Sequence, residues 1–107
     1  MFELKQKEGT DSYHFVLKAK NGQVILSSQV YASKSGASNG VESVKKNCAD
    51  DSKFERKTAK NGKFYFNLKA ANAQIIGTSQ MYAAEAGMEN GIESIKNNAP
   101  GAEVKEA

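Results

Sequence analysis

The chain has 107 residues, with 15 basic and 12 acidic side chains, a formal charge of +3 and 39% hydrophobic content. This suits one globular domain with one core and excludes a disordered chain. No apolar run approaches the roughly 20 residues that span a bilayer, the single cysteine forbids an internal disulfide, and so small a net charge does not by itself imply a polyanionic partner.

Phe2–Lys7 alternates apolar and polar residues with Phe2 and Leu4 on one face, which predicts a first strand and no secretory leader. The expected location is the cytoplasm. Glu8–Ser12 is a polar turn around Gly9. Tyr13, Phe15, Leu17 and Ala19 then alternate with His14, Val16 and Lys18, a strand with one half-buried face. Lys20-Asn21-Gly22 signals a hairpin, because Gly22 reaches φ > 0 without the penalty of a Cβ. A two-residue turn would set Val24 and Leu26 beside Leu17; a three-residue turn with Gly22 left-handed would set Ile25 there. The second is preferred, since isoleucine recurs at Ile25 and Ile76 whereas Leu26 is matched by Gly77, which suits an outward position 26.

Tyr31 leads into a helix capped by Ser33. Ala37, Gly40, Val41, Val44 and Cys48 form one stripe at helical spacing, with Cys48 as a small core residue and not a catalytic thiol. Tyr13–Asp50 then recurs as Phe64–Gly101 at a constant offset of 51, with nearly half of the aligned residues identical. Phe54 and Glu55 match Phe2 and Glu3, Asn61-Gly62 makes the next turn, and Phe64, Phe66, Leu68 and Ala70 repeat the inward face. Ala73 stands in Gly22's place and would be strained if left-handed, so the second hairpin has the option of bending differently. Met88, Gly91, Ile92, Ile95 and Ala99 repeat the helix stripe. Ala84 cannot cap by side chain, Glu85 compensates near the positive helix end, and Pro100-Gly101 stops the helix. Glu103–Lys105 is a last short alternating stretch.

Each copy alone is too small to bury a core against its chain entropy. The expected fold is therefore α+β: two tandem β3-α-β repeats, about 1–51 and 52–107, in one domain. They form a single antiparallel sheet with two helices on one face. The segment around 53–58 is expected to be exchanged between the repeats. The duplication would supply within a monomer, by pseudo-two-fold symmetry, what a dimer draws from two chains.

Such a sheet has an open face. By the alternation it carries His14, Val16, Lys18, Val24 and Leu26, joined by Tyr65, Asn67, Lys69 and Ile75. One reading is a solvated face; the other is a binding face, because apolar patches rimmed by polar groups mark contact sites. His14 and Tyr65 could stack on bases while Lys5, Lys18, Lys57 and Lys69 meet phosphates, although no RNP-like motif is present. Lys53, Arg56, Lys57, Lys60 and Lys63 form a basic cluster that could serve the same end. Glu85, Glu89 and Glu93 make an unfavourable like-charge row on the second helix.

Gly36 and Gly40 recur as Gly87 and Gly91, a helix cost of about 1 kcal/mol each that close packing would explain. Asn47 and Asn98 suit helix termination, while Asn39 and Asn90 bond a nearby loop or anchor a ligand. Tyr31 and Tyr82 are expected at the core edge with their hydroxyls reaching water. Ser28-Gln29 and Ser79-Gln80 could join them in a polar site. No second histidine or cysteine completes a zinc set, and there is no phosphate loop. The single histidine has no evident carboxylate orienter. No catalytic residue, metal or cofactor is expected.

NGQVILSSQVYASKSGASNGVESVKKNC and its copy NAQIIGTSQMYAAEAGMENGIESIKNNA resemble the YegP-like family of small bacterial proteins, the UPF0339 or DUF1508 group, in its tandem form. The resemblance covers nearly the whole chain, with Ala73 departing from the usual hairpin glycine. It implies two β3-α-β units in a single antiparallel sheet with exchanged C-terminal strands, and it transfers no catalytic or binding residue. The expected function is a non-enzymatic binding or protein-interaction module using the open face. RNA or DNA binding is the alternative, a small-molecule enzyme at the tyrosine junctions comes third, and no membrane partner is expected.

Overall fold

A computed structural model describes residues 1–106. The elements run β1 (Phe2–Gln6), β2 (Tyr13–Lys18), β3 (Val24–Ser28), α1 (Lys34–Asn47), a 3-10 turn (Asp51–Lys53), β4 (Phe54–Thr58), β5 (Phe64–Lys69), β6 (Ile75–Thr78), α2 (Glu85–Asn98) and β7 (Val104–Glu106). The strands form one seven-stranded sheet in the order β4-β5-β6-β3-β2-β1-β7. All pairs are antiparallel except β1–β7, so the expected single antiparallel sheet is corrected to a mixed one. The chain leaving α2 enters the sheet beside the start of β1, where Phe2 N–H donates to Glu103 O at 2.8 Å, and so runs in the same direction.

Both helices bury their apolar stripe on the same side of the sheet. α1 packs on β1, β2 and β6, and α2 on β3 and β5, so each helix also covers a strand from the other half. One cluster joins Phe2, Phe15, Val41 and Val44 with Phe54, Phe66, Ile92 and Ile95. Phe2 meets Phe15 edge-on at 5.8 Å, and Phe15 stacks near Tyr31 at 6.1 Å; Phe54, Phe66 and Tyr82 repeat this at 5.6 and 6.5 Å. Each buried phenylalanine contributes about 1.5–3 kcal/mol. Cys48 is buried here too, and burial pushes its thiol pKa up.

The glycines at the helix centres answer to these aromatics. A Cβ on Gly40 would lie 2.8 Å from Tyr31 Cζ and Phe15 Cε2, and one on Gly91 would lie 2.8 Å from Tyr82 Cζ. The tyrosines cross the helices where a side chain would otherwise stand. Ser33 caps α1 by accepting from Gly36 N–H at 3.1 Å, whereas Ala84 makes no side-chain cap.

Both β2–β3-type hairpins take the three-residue turn. Ala19 N–H donates to Gln23 O, and Ala70 N–H to Gln74 O, each at 2.9 Å. Ala73 adopts φ 68 and Gly22 φ 83, so the second hairpin bends like the first despite its alanine. A bulge beyond the turn overrides the expected register. Leu17 pairs with Leu26 and Lys18 with Val24, leaving Ile25 as the extra residue. Ile25 and Leu26 are therefore both buried, and Leu26 belongs to the core instead of the open face. Its counterpart is glycine for a different reason from the one expected. A Cβ on Gly77 would lie 3.0 Å from Leu26 Cγ and 2.9 Å from Ser27 O. The closeness of β3 demands a glycine there.

Candidate functional site

Alternation and register place one row of side chains straight across the uncovered side of the sheet. Glu3 faces Val16, Val16 faces Ser27, Ser27 faces Thr78, Thr78 faces Asn67 and Asn67 faces Glu55. A second row sets Lys18 beside Val24 and Lys69 beside Ile75; a third sets Lys5 beside His14 and Lys57 beside Tyr65. His14, Lys18, Val24, Tyr65, Asn67 and Lys69 thus share one face, as the alternation predicts, while Leu26 does not. Val16 and Asn67 are buried by their neighbours, and Ile75 is 41% exposed.

The charges on this face are paired. Glu3 takes Lys18 at 3.0 Å and Lys5 at 3.9 Å; Glu55 takes Lys69 at 2.9 Å and Lys57 at 3.9 Å. The hydrogen bond from Lys18 lowers the Glu3 carboxyl pKa, and those from Lys69 and then Asn67 lower that of Glu55. The two halves differ in the middle of the row. Asn67 Nδ2 donates to Glu55 Oε1 at 3.1 Å, and Thr78 Oγ1 donates to Asn67 Oδ1 at 2.7 Å, where the first half has only Val16 between Glu3 and Ser27. Alternation alone does not single out Glu3, Glu55, Ser27 or Thr78, although the match of Phe2-Glu3 to Phe54-Glu55 marks the glutamates.

The expected basic cluster is not one patch. Arg56 points to the helix side of β4, where Nε donates to Glu89 Oε2 at 2.6 Å and Nη2 donates to Asp51 Oδ1 at 3.1 Å. Lys57 lies on the opposite face beside Glu55. Lys53 is in the 3-10 turn, and Lys60 and Lys63 lie about the β4–β5 turn. Neighbouring residues of a strand point to opposite sides, so charges adjacent in sequence are separated in space. Lys96 completes the helix-side cluster by donating to Asp51 at 2.8 Å. Glu89, drawn onto Arg56, is thereby relieved of the expected like-charge row.

The polar groups at the tyrosine junctions are committed to the fold. Ser28 Oγ accepts from Phe15 N–H at 2.9 Å and donates to Gln29 O at 2.7 Å; Ser79 repeats this with Phe66 and Gln80 at 3.0 and 2.8 Å. Burial pushes the Tyr31 pKa up, opposed by a hydrogen bond with Gln29. The Tyr82 hydroxyl is buried with no partner among the described residues, so it does not reach water as expected.

Two open clefts lie between a helix of one half and a hairpin of the other. One, of about 450 Å³, is lined by Asn39, Ser43, Lys46 and Asn47 of α1 with Ala70–Asn72. The other, of about 470 Å³, is lined by Ser94, Asn97 and Asn98 of α2 with Ala19–Asn21. Asn47 and Asn98 donate back to the carbonyls of Ser43 and Ser94, while Asn21 and Asn72 accept within their turns. Asn39 and Asn90 are exposed. Among the described residues no group of histidine, cysteine or acidic side chains is arranged to hold a metal ion, and no helix is long and apolar enough to cross a membrane.

These features define a small α+β protein with a helix-covered sheet whose other face is bare. The family model described as "Domain of unknown function (DUF1508)" matches it twice, over residues 10–55 and 59–106. The chain belongs to this family, the UPF0339 or YegP-like proteins. It is 56% identical to a UPF0339 protein of Acinetobacter baylyi over 98% of this chain and 94% of that one. It is 52% identical to YegP of Escherichia coli, with the same coverage of each. The solution structure of a UPF0339 protein from Shewanella oneidensis superposes with a TM-score of 0.91 at 50% identity, over 98% of this chain and 88% of that one. That of Escherichia coli YegP, described as a protein of unknown function, gives 0.91 at 51% identity over 98% and 90%.

Proposed function

We propose that the chain is a non-enzymatic protein-interaction module whose contact surface is the bare sheet face. It acts as a monomer: one domain of two repeats, about 1–51 and 52–107, related by a pseudo-two-fold axis, with the segment 53–58 exchanged into the second half. The register at the centre of the sheet supports the axis, because Ser27 and Thr78, counterparts at the offset of 51, pair with each other. The exchange is supported by β4, which follows α1 yet pairs with β5, and by β7, which follows α2 yet pairs with β1.

The observation that carries the functional reading is the pairing of Lys18 with Glu3 and Lys69 with Glu55 on a face that also carries aromatic and aliphatic side chains beside its polar central row. Glu3 holds Lys18 at 3.0 Å and Glu55 holds Lys69 at 2.9 Å, so two carboxylates offset two of the four lysine charges and reduce what the face can offer to phosphates. Tyr65, His14, Val24 and Ile75 between them offer the aromatic and aliphatic anchors that protein interfaces use. The test compares tagged wild-type protein with Tyr65→Ala and Ile75→Lys in pull-downs, and titrates RNA and DNA at low salt. A specific protein partner lost with both variants, each still folded by circular dichroism, is the expected result. Salt-sensitive oligonucleotide binding without such a partner would replace this reading by nucleic-acid recognition.

A further inference from the structure

The two edges of the sheet are used differently. β7 lies parallel to β1, with Glu3 opposite Lys105 and Leu4 opposite Glu106, and Lys34 at the start of α1 forms an ion pair with Glu106. β4 is the counterpart of β1: Phe54 faces Leu68 as Phe2 faces Leu17. Lys96 of α2 stands 5.8 Å from the Phe54 ring, as Lys45 of α1 stands 5.9 Å from that of Phe2. Yet no described strand pairs with the outer side of β4. Ala59 N–H donates into the β4–β5 turn at Lys63 O, so by the two-residue period the N–H groups of Arg56 and Thr58 point outward. The N–H of Phe54 is already taken by Asp51 O, and the free stretch therefore begins at Arg56.

We propose that this edge receives an extended, basic segment of a partner protein, running parallel to β4 in the register that β7 adopts on β1. Strand addition to an exposed edge draws affinity from main-chain hydrogen bonds and specificity from alternate side chains. Here the side-chain chemistry follows from the differences between the two edges. The counterpart of Lys34 is Glu85, exposed at the start of α2. A residue in the place of Glu106 thus meets a carboxylate instead of an ammonium group. On the bare face, Glu55 stands where Glu3 does and faces the position equivalent to Lys105. The cation that distinguishes this edge is the one on the helix side, opposite Glu85, because on the bare face Glu55 is already held by Lys69 and Lys57 as Glu3 is by Lys18 and Lys5.

Arg56 offers no compensating free charge to an acidic strand, since Glu89 and Asp51 already hold it. The same arrangement disfavours β7 of a second copy, whose Glu106 would confront Glu85. Copies lending β7 to one another would build an open-ended chain, which like charges at this contact disfavour.

The test uses two peptides: residues 101–107 of this sequence, and the same peptide carrying Glu106→Lys. Each is titrated into the isotope-labelled full chain while backbone amide shifts are followed. The basic peptide is expected to move the amides of Arg56 and Thr58 and to bind about two- to five-fold more tightly than the native sequence, the range of an exposed ion pair. In the Glu85→Lys protein the preference should reverse. Unmoved amides at Arg56 and Thr58, equal response to both peptides, or a preference that survives Glu85→Lys would each overturn the proposal. So would shifts confined to Phe2–Leu4, which would mean exchange with β7 at the occupied edge.

Discussion

Ser27 and Thr78, separated by the repeat offset of 51, stand opposite one another where β3 meets β6. Pairing of counterparts is the register that the proposed two-fold relation requires. It also joins the bare face into one row from Glu3 to Glu55. The close approach of strands here excludes a side chain from Gly77, and Leu26 fills the space on the helix side. The same contact therefore shapes both the interior and the outer surface.

The tyrosines crossing the helices make a sharp distinction between glycines. Gly40→Ala should destabilise the protein by about 1–3 kcal/mol through overpacking against Tyr31 and Phe15. Gly36→Ala, whose Cβ would meet Ser33 Oγ at 3.4 Å and Tyr31 at 3.5 Å, should change stability by no more than about 0.5 kcal/mol. Urea unfolding of the two variants measures the difference, and equal losses would refute this role for Tyr31.

Ala73 holds a left-handed conformation in a hairpin whose counterpart uses Gly22. Ala73→Gly should stabilise by roughly 0.5–1 kcal/mol, and Gly22→Ala should lose about 1–2 kcal/mol. Thermal melts should show Tm moving in opposite directions for the two exchanges.

Ser79 is buried and supplies the acceptor for the Phe66 N–H where the ladder is interrupted. Ser79→Ala should cost about 1–3 kcal/mol, because a buried donor loses its partner. Ser28→Ala should cost less, as Ser28 is only half-buried. Hydrogen exchange at Phe66 should accelerate more in the first variant than exchange at Phe15 does in the second.

Asp51 is held at about 2, below its ordinary 3.8, by hydrogen bonds from Lys96 and then Arg56. Its folded value lies below its unfolded value, so its contribution is present above the unfolded value and is lost as pH falls through the folded one. Asp51→Asn should therefore lower the urea midpoint near neutral pH and converge with wild type as pH falls from about 4 towards 2. Because the carboxylate is exposed, about 1 M salt should shrink the difference. A gap that persists at the acid end would contradict the assignment.

The sequence by itself determined the elements and most of the interior. Phe15, Leu17, Phe66 and Leu68 lie inward because strand alternation is local, and Val41, Val44, Ile92 and Ile95 because the helical stripe is local. His14, Tyr65 and the four sheet lysines on the opposite face follow from the same period. Tertiary structure alone decided the rest. Leu26 turns inward because a bulge at Ile25 shifts the register and Gly77, distant in sequence, leaves it room. Arg56 is withdrawn from the basic cluster because Asp51 meets it from the preceding 3-10 turn and Glu89, 33 residues on, meets it once α2 lies on the sheet. The direction of β7 and the row across the bare face likewise arise when the halves join. Periodicity records which side of its own element a residue takes, whereas register and charge pairing depend on fit between segments far apart along the chain.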